Sequence, residues 1–333
     1  MAHGNLALAR DYLSDIKTYD ERIGTLMTLD SPLVRLYGMR GKPNEEGAIA
    51  HNKQGYVSIA YQRYALDLVI YGIAANDMSA LSHGVNAIRY GFRKQTTDGG
   101  FEVSFLSRRK TDIGKCLSNG TLFLTAAAIS YQLVHHSPYR RRYLRQLTEI
   151  RFGIRNTIYW LSKHDLKLFL HDQDSAYHLL NDSLAYIICG EIYNNLNMIK
   201  RGHIFLDIAL ELQRPDGAFL EGKGHDSSYQ ASIIVLLVYY MLFVQNRGFF
   251  NKVLRAIAMG LIWEKSRILP TGKINSRNNT HRKLTYSTFS GRQSDISYSD
   301  VIKAFLWYGF FTRDPESKLL ARRVYQFIRK SSA

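Results

Sequence analysis

The stretch Gln213-Arg214-Pro215-Asp216-Gly217-Ala218-Phe219-Leu220-Glu221 gives the key to the rest of the chain. Pro-Asp-Gly is a turn for a physical reason: proline presets one backbone angle, and glycine accepts a left-handed conformation that other residues resist. The residues after it alternate in character and read as a short extended segment. The signature returns at Lys94-Gln95-Thr96-Thr97-Asp98-Gly99-Gly100-Phe101-Glu102-Val103 and at Ile268-Leu269-Pro270-Thr271-Gly272-Lys273-Ile274. Lys167-Leu168-Phe169-Leu170 reads as a degenerate fourth copy.

Outward from these turns the chain falls into a repeat of about 50–70 residues. Strongly apolar helices are predicted over 55–74, 118–134, 179–196, 226–244 and 297–311. More amphipathic, basic helices follow each, over 79–94, 139–163, 197–213, 247–265 and 316–330. The first set is apolar nearly all round, as in helices covered on several sides. The second set carries its charges on one stripe, as in Tyr139-Arg140-Arg141-Arg142-Tyr143, and suits a solvent-facing layer. Only 6 prolines occur in 333 residues, which leaves the helices uninterrupted. The fold expected is all-α: helical hairpins arranged as an α/α toroid, a complete or incomplete barrel of five or six pairs, with short β-like segments in the loops. One domain is expected over 1–333, its first ~50 residues forming a capping helix and loop. An open solenoid is the alternative, but the inner helices are too apolar to line a wet groove.

The formal charge of +16 and the pI of about 9.7 favour an anionic partner, or else a merely solubilising surface. Cys116 and Cys189 lie in apolar helical stretches and read as buried thiols. No Cys/His spacing suits a structural zinc, and no P-loop or dinucleotide fingerprint is present, so neither metal nor cofactor is expected. No nucleic-acid-binding signature accompanies the charge. The longest apolar run, 231–244, is too short to span a bilayer comfortably, and the N-terminus lacks an apolar core of signal-peptide type. A soluble, cytoplasmic protein is therefore expected.

The Gln-x-x-Asp-Gly-Gly-Phe turn at 95–101 and the Gln-Arg-Pro-Asp-Gly-Ala-Phe turn at 213–219 resemble those of α/α-toroid enzymes: terpenoid cyclases, protein prenyltransferases, and toroidal polysaccharide lyases and glycosidases. The resemblance implies a site at the starts of the inner helices, where backbone N–H groups also favour anions. The richest such segment is 221–230, with His225, Asp226 and Tyr229 inside one turn. It resembles the Asp-Gly-x-Phe…His…Tyr region of toroidal lyases. That implies a Tyr or His which removes the proton beside a uronate carboxylate, while an Asn or Arg neutralises the carboxylate. On this reading Tyr229 is base or acid, His225 its partner, and Asn181 or Asn119 the neutralising group. Both asparagines also suit N-caps, as does Asp226.

Asp226, Glu221, Asp174 and Tyr298 are expected to contact substrate, together with Arg277, His281 and Arg282 from the basic loop 275–282. Arg292, and Arg108, Arg109 and Lys110 before Asn119, are further candidates to meet an acidic ligand. The function expected is eliminative cleavage of a uronate-containing polysaccharide or oligosaccharide. A glycoside hydrolase using Glu221 and Asp226 is one alternative. A terpenoid-cyclase-like enzyme is another, because His171-Asp172-Gln173-Asp174-Ser175 resembles the cyclase Asp-x-Asp-Asp motif and places Asp174 as the acid at the top of an aromatic cavity. A non-catalytic helical-repeat interaction protein is the third.

Overall fold

The computed structural model describes residues 43–49, 58–102, 112–222, 224–244, 248–277, 279 and 296–331. Among them are eleven α-helices: α1 Ala65–Ala74, α2 Met78–Arg93, α3 Ile113–His136, α4 Leu144–Lys163, α5 Asp165–Asp172, α6 Ala176–Tyr193, α7 Leu196–Glu211, α8 Ser227–Phe243, α9 Phe250–Lys265, α10 Tyr298–Phe311 and α11 Pro315–Ser331. A 3₁₀ turn, Ile59–Tyr64, leads into α1, and another, Arg140–Tyr143, into α4. With α5 set aside, the helices form five sequential pairs. Extended structure among the described residues is confined to isolated bridges, such as Gln213 with Phe219 and Ile268 with Ile274.

The chain divides into two compact units. Among described residues the N-terminal unit holds 43–173 and 181–205, and the C-terminal unit holds 174–180 and 206–331. In each unit the first helix of a pair is the more deeply buried. In the N-terminal unit the run Leu122–Val134 of α3 is buried throughout, and in the C-terminal unit so is Ile233–Phe243 of α8. Their partners bury one stripe: α4 covers Ile150, Ile154 and Ile158 but exposes Phe152 and Tyr159. Cys116 and Cys189 are buried thiols outside any disulfide, and burial pushes the Cys189 pKa up. No described helix is long and apolar enough to cross a membrane.

The turns that parse the sequence share one hydrogen-bond pattern. Thr96 N–H donates to Gly100 O and Gly99 N–H to Thr96 O; Arg214–Gly217–Ala218 and Leu269–Gly272–Lys273 repeat this bond for bond. Gly99, Gly217 and Gly272 all have φ near +90°. A Cβ on any of them would lie 2.2–2.5 Å from a backbone oxygen of the pair's second helix: Asn156, Met259 and Arg323 respectively. Only glycine meets both demands. A fourth copy, not anticipated, is Asn44–Ala48, with Gly47 (φ +96°) against the Asn86 carbonyl. It lacks the Asp-Gly signature and was hidden for that reason.

Four residues beyond each contacted carbonyl stands an aromatic ring: Tyr90, Trp160, Trp263 and Phe327. Glutamines fasten two of the turns to the second helix. Gln95 Nε2 donates to Gly153 O and Thr157 Oγ1, and Gln213 Nε2 to Gly217 O and Ala256 O.

Three sequence expectations need correction. Lys167–Leu170 is not extended; it lies in α5, where Leu168 is buried and Leu170 exposed. Asn119 does not open its helix, because α3 starts at Ile113 with Asp112 as cap, accepting from Gly114 N–H. Asn181 does not open α6, because Ser175 Oγ accepts from His178 N–H and starts the helix earlier. In both cases a side chain further upstream satisfies the orphan amide first.

Candidate active site

The C-terminal unit gathers most of the chemistry-bearing residues at the first turns of α6 and α8. Asp226 is the N-cap of α8, as its sequence position suggested. Its Oδ1 accepts from Ser228 and Tyr229 N–H at 2.7 and 3.2 Å, and Asn279 Nδ2 donates to its Oδ2 at 3.2 Å. The Ser227 hydroxyl donates to Asn279 Oδ1. With its carboxylate held from both sides and 2% exposed, Asp226 fixes the entry angle of α8. Tyr229 and His225, both half-buried, are therefore displayed from rigid backbone on either side of the cap.

Glu221, also 2% exposed, is bound to the start of α6. It accepts the Ser175 hydroxyl at 2.5 Å and Tyr177 N–H at 2.6 Å. A carboxylate at a helix N-terminus meets unpaired amides and the positive end of the dipole. The bonds from Ala176 N–H to Leu220 O and from Gly222 N–H to Asp174 O complete the link between this loop and α6. The Tyr177 ring thereby meets Tyr229 edge to face, centroids 5.2 Å apart, with His178 5.4 Å from Tyr177.

Below His225 lies a polar cluster that sequence reasoning missed. The His225 imidazole packs on Trp263 at 5.4 Å, and the Arg267 guanidinium lies 5.3 Å from the same indole. An Arg267 terminal nitrogen donates to Asn279 Oδ1 at 3.4 Å. Glu264 is fully buried, and neither of its oxygens has a hydrogen-bond partner. Burial holds its carboxyl well above the usual range; Arg267 pulls it back and Asp226 pushes it further up. Glu264 follows Trp263 at a position where the other copies carry Gly91, Leu161 and Ile328. A carboxyl at that apolar register is the signal that could have exposed it.

The remaining candidates are placed as follows. Tyr298 opens α10 and its ring packs at a tilt against Phe327, centroids 5.6 Å apart. Near it Asp300 accepts from the Ser232 and Ser297 hydroxyls, beside the buried Lys303. Arg277 is exposed. His281, Arg282, Arg292, Arg108, Arg109 and Lys110 lie outside the described residues.

Asp174 is exposed, whereas Asp172 of the same cyclase-like segment and Asp182, further along in α6, are buried, both in the N-terminal unit. There Asp172 accepts from His171 Nδ1 at 2.7 Å, and Asp182 is fully buried with both oxygens unpartnered. Burial, then the charge of Asp172, raises the Asp182 pKa well above the carboxylate range. In the same unit Asn181 is 3% exposed, its carbonyl accepting from Thr125, and Asn119 is half-buried in the second turn of α3. No group of three or more His, Cys, Asp or Glu among the described residues is arranged to hold a metal ion.

No protein-family model and no curated protein matches the sequence. Among solved structures, the crystal structure of a sugar epimerase from a ruminal bacterium is similar, with TM-score 0.50 and 12% identity over 94% of this chain and 87% of that one. At that identity the similarity concerns the fold.

Proposed function

We propose that the chain is a carbohydrate-processing enzyme that moves a proton at a sugar carbon, with a uronate-containing oligosaccharide or polysaccharide as substrate and β-elimination as the reaction. The observation that carries the proposal is the placement of His225 and Tyr229 on either side of the locked Asp226 cap, with the Tyr177 ring set against Tyr229. Two half-buried side chains of acid–base type on one rigid turn suit the removal and delivery of a proton.

In the reaction Tyr229, assisted by His225, takes the proton on the carbon beside the uronate carboxylate. The electron pair forms the ring double bond, the glycosidic oxygen leaves, and a proton returns to that oxygen. Arg267 and Arg277 are the cations assigned to the carboxylate. Asn181 is left out of the catalytic set because it is 3% exposed inside α6. The toroidal closure expected from the sequence belongs to this proposal; the repeated turn–helix–helix unit and the sugar epimerase similarity support it.

The hydrolase reading is weaker, because Glu221 and Asp226 are both committed to helix starts. Epimerisation is the second reading, favoured by the fold shared with a sugar epimerase. It uses the same first step and returns the proton to the other face of the carbon.

The test is ultraviolet absorbance of the unsaturated uronate while the protein acts on a panel of acidic glycans, with Tyr229→Phe as control. A rise that the variant abolishes supports elimination. A flat trace with altered sugar stereochemistry moves the assignment to epimerisation.

A further inference from the structure

The outer face of α4 presents an unusual surface. Phe152 and Tyr159, seven residues apart and so on one line of the helix, are 56% and 59% exposed. At 100° per residue, Arg145 and Lys163 fall on one side of this ridge and Arg151 and Arg155 on the other, all exposed. The cations fold over the rings, Arg155 lying 5.1 Å from the Phe152 ring and Lys163 4.3 Å from the Tyr159 ring. Arg140, Arg141 and Arg142 stand exposed at the N-terminal end of the helix. On α5, one turn apart, Leu166 and Leu170 are 67% and 57% exposed. Glu149, the acidic residue of this α4 face, is paired with Arg89 at 2.6 Å and with Arg145 of the same face at 3.3 Å, the latter an exposed contact that leaves most of the Arg145 side chain in solvent. A groove of about 510 Å³ adjoins this face and runs along α2 and α4 past Phe92, Ile150 and Phe152 under Arg89 and Arg93.

We propose that this face docks the protein peripherally on an anionic phospholipid membrane surface. The charge is complementary to acidic headgroups, and each basic side chain is long enough to reach them while its stem lies along the apolar ridge. Rings flanked by cations, with exposed leucines beyond, match the chemistry of the bilayer interface, where apolar groups enter the headgroup–acyl boundary. Nucleic acid would satisfy the arginines and stack on the rings, but it offers no apolar sink for Leu166 and Leu170. An acidic glycan leaves the leucines equally exposed. The inference stands apart from the proposed catalysis, since none of these residues is among the groups assigned to it.

The full chain should co-sediment with phosphatidylcholine vesicles containing phosphatidylserine at about 0.15 M salt, and much less with phosphatidylcholine alone. The pair Phe152→Ser and Tyr159→Ser should weaken that binding by about tenfold or more, and Leu166→Ser with Leu170→Ser should act in the same direction. Because all four side chains are exposed, helix content by circular dichroism should be unchanged. Absence of vesicle binding overturns the inference. So does binding that ignores both pairs of substitutions, or preference for RNA or heparin over the vesicles.

Discussion

Tyr177 and Tyr229 meet edge to face at 5.2 Å, one ring on the first turn of α6 and the other on the first turn of α8. Neither helix start is held by a residue of its own helix alone. Glu221, from the loop before α8, caps α6, and Asn279, from the segment before α10, holds the cap of α8. The candidate acid–base groups are thus set by a chain of caps passed from one repeat to the next.

Glu221→Ala should remove two charge-assisted hydrogen bonds and leave the Ser175 hydroxyl and Tyr177 N–H without their acceptor. We expect a loss of about 2–4 kcal/mol in urea denaturation. Glu221→Gln, which retains one acceptor oxygen, should lose less. Equal stability of all three proteins would show that the link is ornamental.

Glu264 occupies a register that carries leucine in the repeat containing Trp160. Replacing a buried, unpartnered carboxyl by an apolar side chain of similar size removes a desolvation penalty. Glu264→Leu should therefore stabilise the protein by about 1–3 kcal/mol at pH 8. A destabilisation at that pH would mean that Arg267 depends on this carboxylate.

Asp182 should give the protein a measurable pH dependence. Its folded pKa is raised above the unfolded value, so the folded state holds the extra proton. Stability then falls as pH rises from the unfolded pKa near 3.8 toward the folded one, by up to about 1.4 kcal/mol per pH unit. His171, whose pKa is raised by its bond to Asp172, adds a loss of the same sign, beginning above its ordinary 6.5. Asp182→Asn should flatten the lower part of this slope while leaving the His171 part in place. Denaturation midpoints at pH 5 and pH 8 for the two proteins provide the comparison.

The sequence carries the helical pairs clearly, because apolar character all round and a single charged stripe are strong local signals. The turns at Gly99, Gly217 and Gly272 were legible because a proline or aspartate stands one or two residues before the glycine. The turn at Gly47 was not, since Asn-Glu-Glu-Gly forms the same bonds without that punctuation. Asn119 and Asn181 misled because a good N-cap type was taken for an N-cap position, while Asp112 and Ser175 stood earlier in the chain. Asp226 was read correctly as a cap. Glu264 and Arg267 escaped notice because charges on an amphipathic helix look alike until the buried face is known. The Tyr177–Tyr229 contact joins residues 52 apart and no local pattern reports it.

The central claim, that Tyr229 and His225 move a proton at a sugar carbon, is tested most directly by mass spectrometry of acidic oligosaccharides incubated with the protein in deuterium oxide. The account predicts fragments ending in an unsaturated uronate or, for epimerisation, intact sugar that gains a single deuterium on carbon. Either signal should fall by about 10²–10⁴ in Tyr229→Phe with the fold intact. Saturated fragments produced by hydrolysis, or a signal equally strong in Tyr229→Phe and His225→Gln, would contradict it.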